Sequence, residues 1–161
     1  MDQQATLVIN MNLNAWHTQI KWVDNIFNAL SDEQLQNEVA PGRNSGVYLL
    51  GHLIAVHDRM LPLLGFEQQM YPQLDDIFLN SPDKSGKEVP ATSDLRNYWN
   101  TVNTALATHF ASLTPAEWLE KHAAVSAEDF AKEPHRNRLN VLISRTNHLA
   151  SHYGQLLFLK K

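Results

Sequence analysis

The sequence predicts an all-α protein, a four-helix bundle with long crossover connections and short extra helices. Three observations carry this expectation. Four segments repeat their apolar residues with a helical period. No stretch longer than about five or six residues shows the two-residue alternation of a half-buried strand. The punctuating residues Gly65, Pro72, Pro82, Gly86 and Pro90 gather in one stretch, 65–92, that has no period of its own.

The first segment, 8–30, places Leu13, Trp16, Ile20, Val23, Phe27 and Leu30 at alternating steps of three and four. That spacing makes one apolar stripe, which should face a core. Ser31 and Gln34 then form an S-x-x-Q capping box, so a short helical turn should precede the break at Pro41-Gly42. The second segment opens after Asn44, Ser45 and Gly46 and runs to Leu64, with Val47, Leu50, Ile54 and Leu61 on its apolar side. Pro62 and Gly65 end it or kink its last turn. Residues 65–92 read as a long crossover within one fold, since no second core follows. The third segment starts at a Thr92 or Ser93 cap and carries Leu95, Tyr98, Trp99, Val102, Leu106, His109, Phe110 and Leu113. Thr114-Pro115-Ala116-Glu117 combines a capping box with proline at the first helical position, which starts a further short helix. The fourth long helix is expected over 137–159. All three connections between the long helices exceed a tight turn, which favours a bundle with at least one crossover.

With 161 residues the chain suffices for a single domain, 1–161, and a domain near this size buries roughly 70% of its unfolded surface. A 43% hydrophobic and 19% charged composition with a net charge of −4 has no polyelectrolyte character, so nucleic acid is not expected as a partner. No run of about 18 apolar residues occurs, and the opening MDQQATLVIN lacks the basic start and apolar stretch of a signal peptide. A cytoplasmic protein with no membrane partner is the expectation. Zero cysteines exclude disulfides and thiolate ligands, so a metal here would be held by nitrogen and oxygen.

The eight histidines make spacing the next question. His148 and His152 stand at i and i+4, which projects both from one helix face about 5–6 Å apart at Cβ. Imidazoles converging from there can share one metal ion. The pair borders the apolar row Leu142, Leu149 and Leu156, so the rings should lie against the core, where an imidazole needs a partner. His52, in an otherwise core-forming helix, would add a third ligand from a neighbour and leave a coordination position open, as catalytic sites do.

Gly51-His52-Leu53, followed far along the chain by His148-Leu149-Ala150-Ser151-His152-Tyr153-Gly154-Gln155-Leu156, resembles the DinB/YfiT-like group of metal-dependent enzymes. The order of elements and the closing H-x-x-x-H-x-G-Q carry the resemblance over essentially the whole chain. It implies a four-helix bundle with a divalent metal, commonly zinc or nickel, on His52, His148 and His152. It also implies a homodimer, and activities that include transferases and isomerases using low-molecular-weight thiols. No general base or thiol-binding fingerprint accompanies the histidines, so the catalytic residues stay unassigned.

His57, about 140° round the helix from His52, is read as facing water or standing behind a ligand. His109 is read as a core histidine with a hydrogen bond, the alternative being a pocket wall. His17 follows core-facing Trp16 and is a candidate for the border of a cavity. His122 and His135, in connecting segments, are expected to be exposed. Gln155, one turn beyond His152, could orient water or a ligand histidine, or could be a polar bundle contact. Gly154 is expected to allow close packing, and Trp16, Trp22, Trp99 and Trp118 to serve the core.

Neither the E-x-x-H of di-iron bundles nor the H-E-x-x-H of metalloproteases occurs. The leading expectation is a metal-dependent transferase or hydrolase acting on a small-molecule substrate. The alternative is a non-catalytic bundle that binds a small ligand or partner, with the histidines as polar core residues.

Overall fold

A computed structural model describes residues 3–160. Its four long helices are α1 (Gln3–Ala29), α3 (Gly46–Asp58), α6 (Thr92–Ser112) and α9 (Arg138–Leu156), with no β-strand among the described residues. Five short helices join them: α2 (Asp32–Leu35), α4 (Met60–Leu63), α5 (Leu74–Phe78), α7 (Pro115–Trp118) and α8 (Ala127–Lys132). A 3-10 turn, Leu157–Leu159, closes the chain. The fold is the all-α four-helix bundle with crossovers that the periodicity predicts.

α1 lies mainly against α9 and α3 mainly against α6, while α3 also meets α5 and α9. α3 is therefore the inner helix. It buries Leu49, Leu50, Leu53, Ile54 and Ala55 completely, so it has apolar neighbours nearly all round. The expected apolar stripe of α1 buries Trp16, Val23, Phe27 and Leu30, with Leu13 and Ile20 packed at its edge.

Both capping boxes form: Ser31 with Gln34 opens α2, and Thr114 with Glu117 opens α7. α6 departs from the expectation. It starts at Thr92 behind Ala91, which supplies no side-chain cap. The second segment is split, α3 ending at Asp58 and α4 following, because Pro62 has no N–H to donate to the Asp58 carbonyl one turn back. Gly65, at φ 78°, terminates that region in the left-handed conformation. The fourth helix stops at Leu156, three residues short of the expected end, and tightens into the 3-10 turn.

The crossover after Gly65 is tied down rather than loose. The fully buried Asp58 accepts hydrogen bonds from the Met70 and Tyr71 amides, both at 2.8 Å. Tyr48 donates its hydroxyl to the Ser81 carbonyl at 2.7 Å, and Asp83 accepts from the Ser45 amide at 2.7 Å. These bonds hold α5 on α3, where Phe78 is fully buried. Gly51 permits this approach: a Cβ there would stand 2.3 Å from the Phe78 ring.

Two packing expectations are corrected. Trp22 is 44% exposed and rests on Tyr153 of α9, with ring centroids 5.6 Å apart. It lies off the stripe defined by Trp16 and Val23. Gly154 is exposed, and a Cβ there would meet nothing within 4 Å, so close packing does not explain it.

Candidate metal centre

His52 and the pair His148 and His152 come from α3 and α9, which pack together. His148 and His152 are one turn apart, and the packing of Leu142, Leu149 and Leu156, all fully buried, turns their face inward. The result is three converging imidazoles. His148 Nε2 lies 3.1 Å from His52 Nε2 and 3.1 Å from His152 Nε2. All three rings are half-buried, and each offers a nitrogen within 4.8 Å of the others.

The far sides of the rings fix the tautomers. His52 Nδ1 lies 2.9 Å from the Phe78 carbonyl, which can only accept, so this nitrogen carries the proton. His152 Nδ1 donates likewise to Gln155 Oε1 at 2.8 Å. Both rings therefore turn an Nε2 lone pair toward His148. A single N–H on His148 Nε2 could satisfy only one of them. A divalent cation accepts all three lone pairs, and nitrogens bound tetrahedrally to zinc stand roughly 3.3 Å apart. The donor set fits such an ion.

Electrostatics favour a neutral ring at His52 and at His148. Burial pushes His52 below the usual histidine range, opposed by its bond to Phe78. His148 is pushed down to about 4, by burial first and then by His152, His52 and Arg145. A neutral imidazole is the form that binds metal.

A model of the DinB superfamily matches residues 15–156. The chain belongs to the DinB superfamily. No curated protein matches it. The matched span takes in the three histidines of this DinB-superfamily chain and every long helix except the first turns of α1.

The other candidates separate clearly. Gln155 contacts His152 directly. It also lines a cleft of about 430 Å³ with Val39, Ala40, Gly42, Arg43, Asn44 and Phe158. His57 does not face water: it is fully buried, with Trp16 at 4.9 Å and Trp99 at 5.2 Å between ring centroids. An inner helix such as α3 offers no solvent face at that angle. His109 is half-buried away from the cluster, stacked on Phe66 at 4.5 Å and bonded to Glu67 at 3.0 Å. His17 is exposed and borders no cavity with the cluster, because it sits one position past the buried stripe of α1. His135 is exposed as expected, whereas His122 is half-buried and accepts from the Ala124 amide at 3.3 Å.

Sequence reasoning misses three contributors: Gly51, Phe78 and Arg145. Gly51 alone leaves a signal, standing directly before His52. The Phe78 carbonyl acts through its backbone, which no side-chain pattern reveals.

Proposed function

We propose that this DinB-superfamily protein is a metal-dependent enzyme of transferase or hydrolase type, holding one divalent ion, zinc or nickel, on Nε2 of His52, His148 and His152. One observation carries the reading. Three Nε2 atoms converge at hydrogen-bond distance while two of the rings have their protons committed elsewhere. No carboxylate joins the histidines in that group among the described residues, which suits a three-ligand site with an open position.

A divalent ion in such a site supplies Lewis acidity and activates a bound water or thiol at neutral pH. The chain's own groups do the rest. Phe78 and Gln155 orient His52 and His152, and a histidine bound this way is a stronger ligand. The cleft beside Gln155 offers an apolar wall in Val39 and Phe158 and a polar one in Arg43 and Asn44. It is the place for a small-molecule substrate, with a low-molecular-weight thiol as the co-substrate class that the superfamily resemblance implies.

The test is metal content. Purified protein is expected to hold one equivalent of zinc or nickel, and His148→Ala with His152→Ala together to hold none. Full occupancy in that double variant overturns the reading.

The homodimer is part of the same proposal. Leu7, Met11 and Trp22 are 60%, 61% and 44% exposed, and their spacing places them on one stripe of α1. Light scattering is expected to show a dimer, and Met11→Glu to weaken it; a monomeric parent protein removes the proposal. Among the described residues no helix is long and apolar enough to cross a membrane.

A further inference from the structure

Arg59, Arg96, Arg136 and Arg138 are each ion-paired with a carboxylate. Arg43 and Arg145 are not. Arg43 is exposed, where water satisfies a guanidinium. Arg145 is half-buried, and the chain has 17 acidic residues from which a partner could come, so its isolation calls for another explanation.

Arg145 forms an open fork. Its Nε is sealed from water without a hydrogen-bond partner, whereas its two terminal nitrogens are not sealed. Burial alone acts on its charge, pulling its pKa down with no carboxylate to oppose it; an arginine stays charged all the same. The stem is thus enclosed while both Nη atoms remain open to solvent, with no partner among the described residues.

α9 sets this fork beside the histidines. Arg145 precedes His148 by one turn and His152 by two, so all three side chains leave one face of the helix. His152 is about 20° from Arg145 around the axis, and His148 about 5–6 Å from it at Cβ. A helical side chain leans toward the N-terminus, which brings the His148 ring over the turn where Arg145 stands. Across the contact with α3, Arg145 also weighs against protonation of His52. No aspartate or glutamate joins the three histidines in their cluster among the described residues.

An anion from outside is what this arrangement lacks. A guanidinium presents parallel N–H groups that match the two oxygens of a carboxylate, and such charge-assisted pairs are the strong hydrogen bonds. One fork with one positive charge suits a carboxylate; a phosphate dianion calls for further donors. We propose that Arg145 binds the carboxylate of a small-molecule substrate or co-substrate whose other end reaches His52, His148 and His152. What that other end does rests on the metal reading above; the carboxylate fork does not.

Two measurements test it. In the metal-free protein, the Arg145 Nε–H resonance is followed by NMR during titration with acetate at constant ionic strength. A saturable shift is expected, with none from acetamide. No shift from acetate, or an equal shift from acetamide, overturns the proposal without any variant having to fold. Inorganic phosphate that saturates at lower concentration than acetate overturns the choice of carboxylate. The cobalt(II)-loaded protein is then titrated with mercaptoacetate and with 2-mercaptoethanol, one carrying a carboxylate and the other not, and the thiolate-to-cobalt charge-transfer band is read. Mercaptoacetate is expected to bind at least about tenfold more tightly. Arg145→Met, whose cobalt uptake shows that it folds, is expected to bind the two thiols alike. Arg145→Lys, which keeps the charge without the fork, is expected to recover part of the preference. A preference that survives in Arg145→Met overturns the assignment, and a preference lost in Arg43→Met instead moves the anion to the cleft and overturns it equally. A parent protein that takes up no cobalt removes the metal reading, while the acetate titration still decides the fork.

Discussion

His52 donates from Nδ1 to the Phe78 carbonyl at 2.9 Å, and Phe78 reaches that place because its ring lies against the bare Cα of Gly51. The residue before His52 thus admits the segment that orients its ring. Gly51→Ala should gain about 1 kcal/mol in helix propensity. Its Cβ would stand 2.3 Å from a fully buried ring, and overpacking of this kind costs about 1–3 kcal/mol. The expected net result is a lower urea midpoint together with weaker zinc binding, both read on the same preparation.

Asp58 is the second anchor of that crossover, its two oxygens accepting the Met70 and Tyr71 amides. Asp58→Ala leaves two half-buried amides without their acceptors, at up to about 1–3 kcal/mol each. Thermal unfolding is expected at a clearly lower temperature, and exchange protection should be lost first at Met70 and Tyr71.

Gln155 is exposed, so water can take over its bond to His152 when the side chain is shortened. Gln155→Ala is therefore expected to weaken metal binding by less than about tenfold, the low end for such partners. Gln155→Glu keeps an acceptor at that position and should bind at least as tightly as the parent. Competition with a chromophoric chelator measures both.

Ligand binding to the folded state alone raises stability with concentration, by about 2.7 kcal/mol at a hundred times the dissociation constant. Zinc or nickel should accordingly raise the unfolding temperature of the parent protein and leave His52→Ala unmoved. A scan with and without chelator is sufficient.

His57 sets a pH dependence in the metal-free protein. Burial lowers it to about 3, opposed by its bond to Asn103 and reinforced by His148, Arg145 and His52. Between its unfolded value near 6.5 and about 3, the unfolded chain binds the proton and the folded chain does not. Its contribution is complete above about pH 6.5 and is lost as pH falls toward 3. Urea midpoints of the parent should therefore drop on acidification through this window, and His57→Phe should flatten the profile. Metal binding adds a loss of the same sign, since ligand imidazoles must be neutral.

The bundle was legible because apolar periodicity is a local property: Trp16, Val23 and Phe27 mark their stripe by spacing, as do Leu95, Val102 and Leu106. The capping boxes at Ser31 and Thr114 were equally local. α5 and α8 were not foreseen, being too short to display a period, although Ser126 three residues before Asp129 carries the capping signal of α8. The pair His148 and His152 could be read from one helix, and the resemblance then singled out His52.

By itself, the sequence determined the helices, their inward faces and three histidines worth testing. Only the tertiary structure decided that His57 is buried, that Trp22 is not, and that a backbone carbonyl stands behind His52. Hydrophobic periodicity states which face of a helix turns inward. It does not state which neighbour meets that face, at what depth, or which polar atoms are left to pair across the contact.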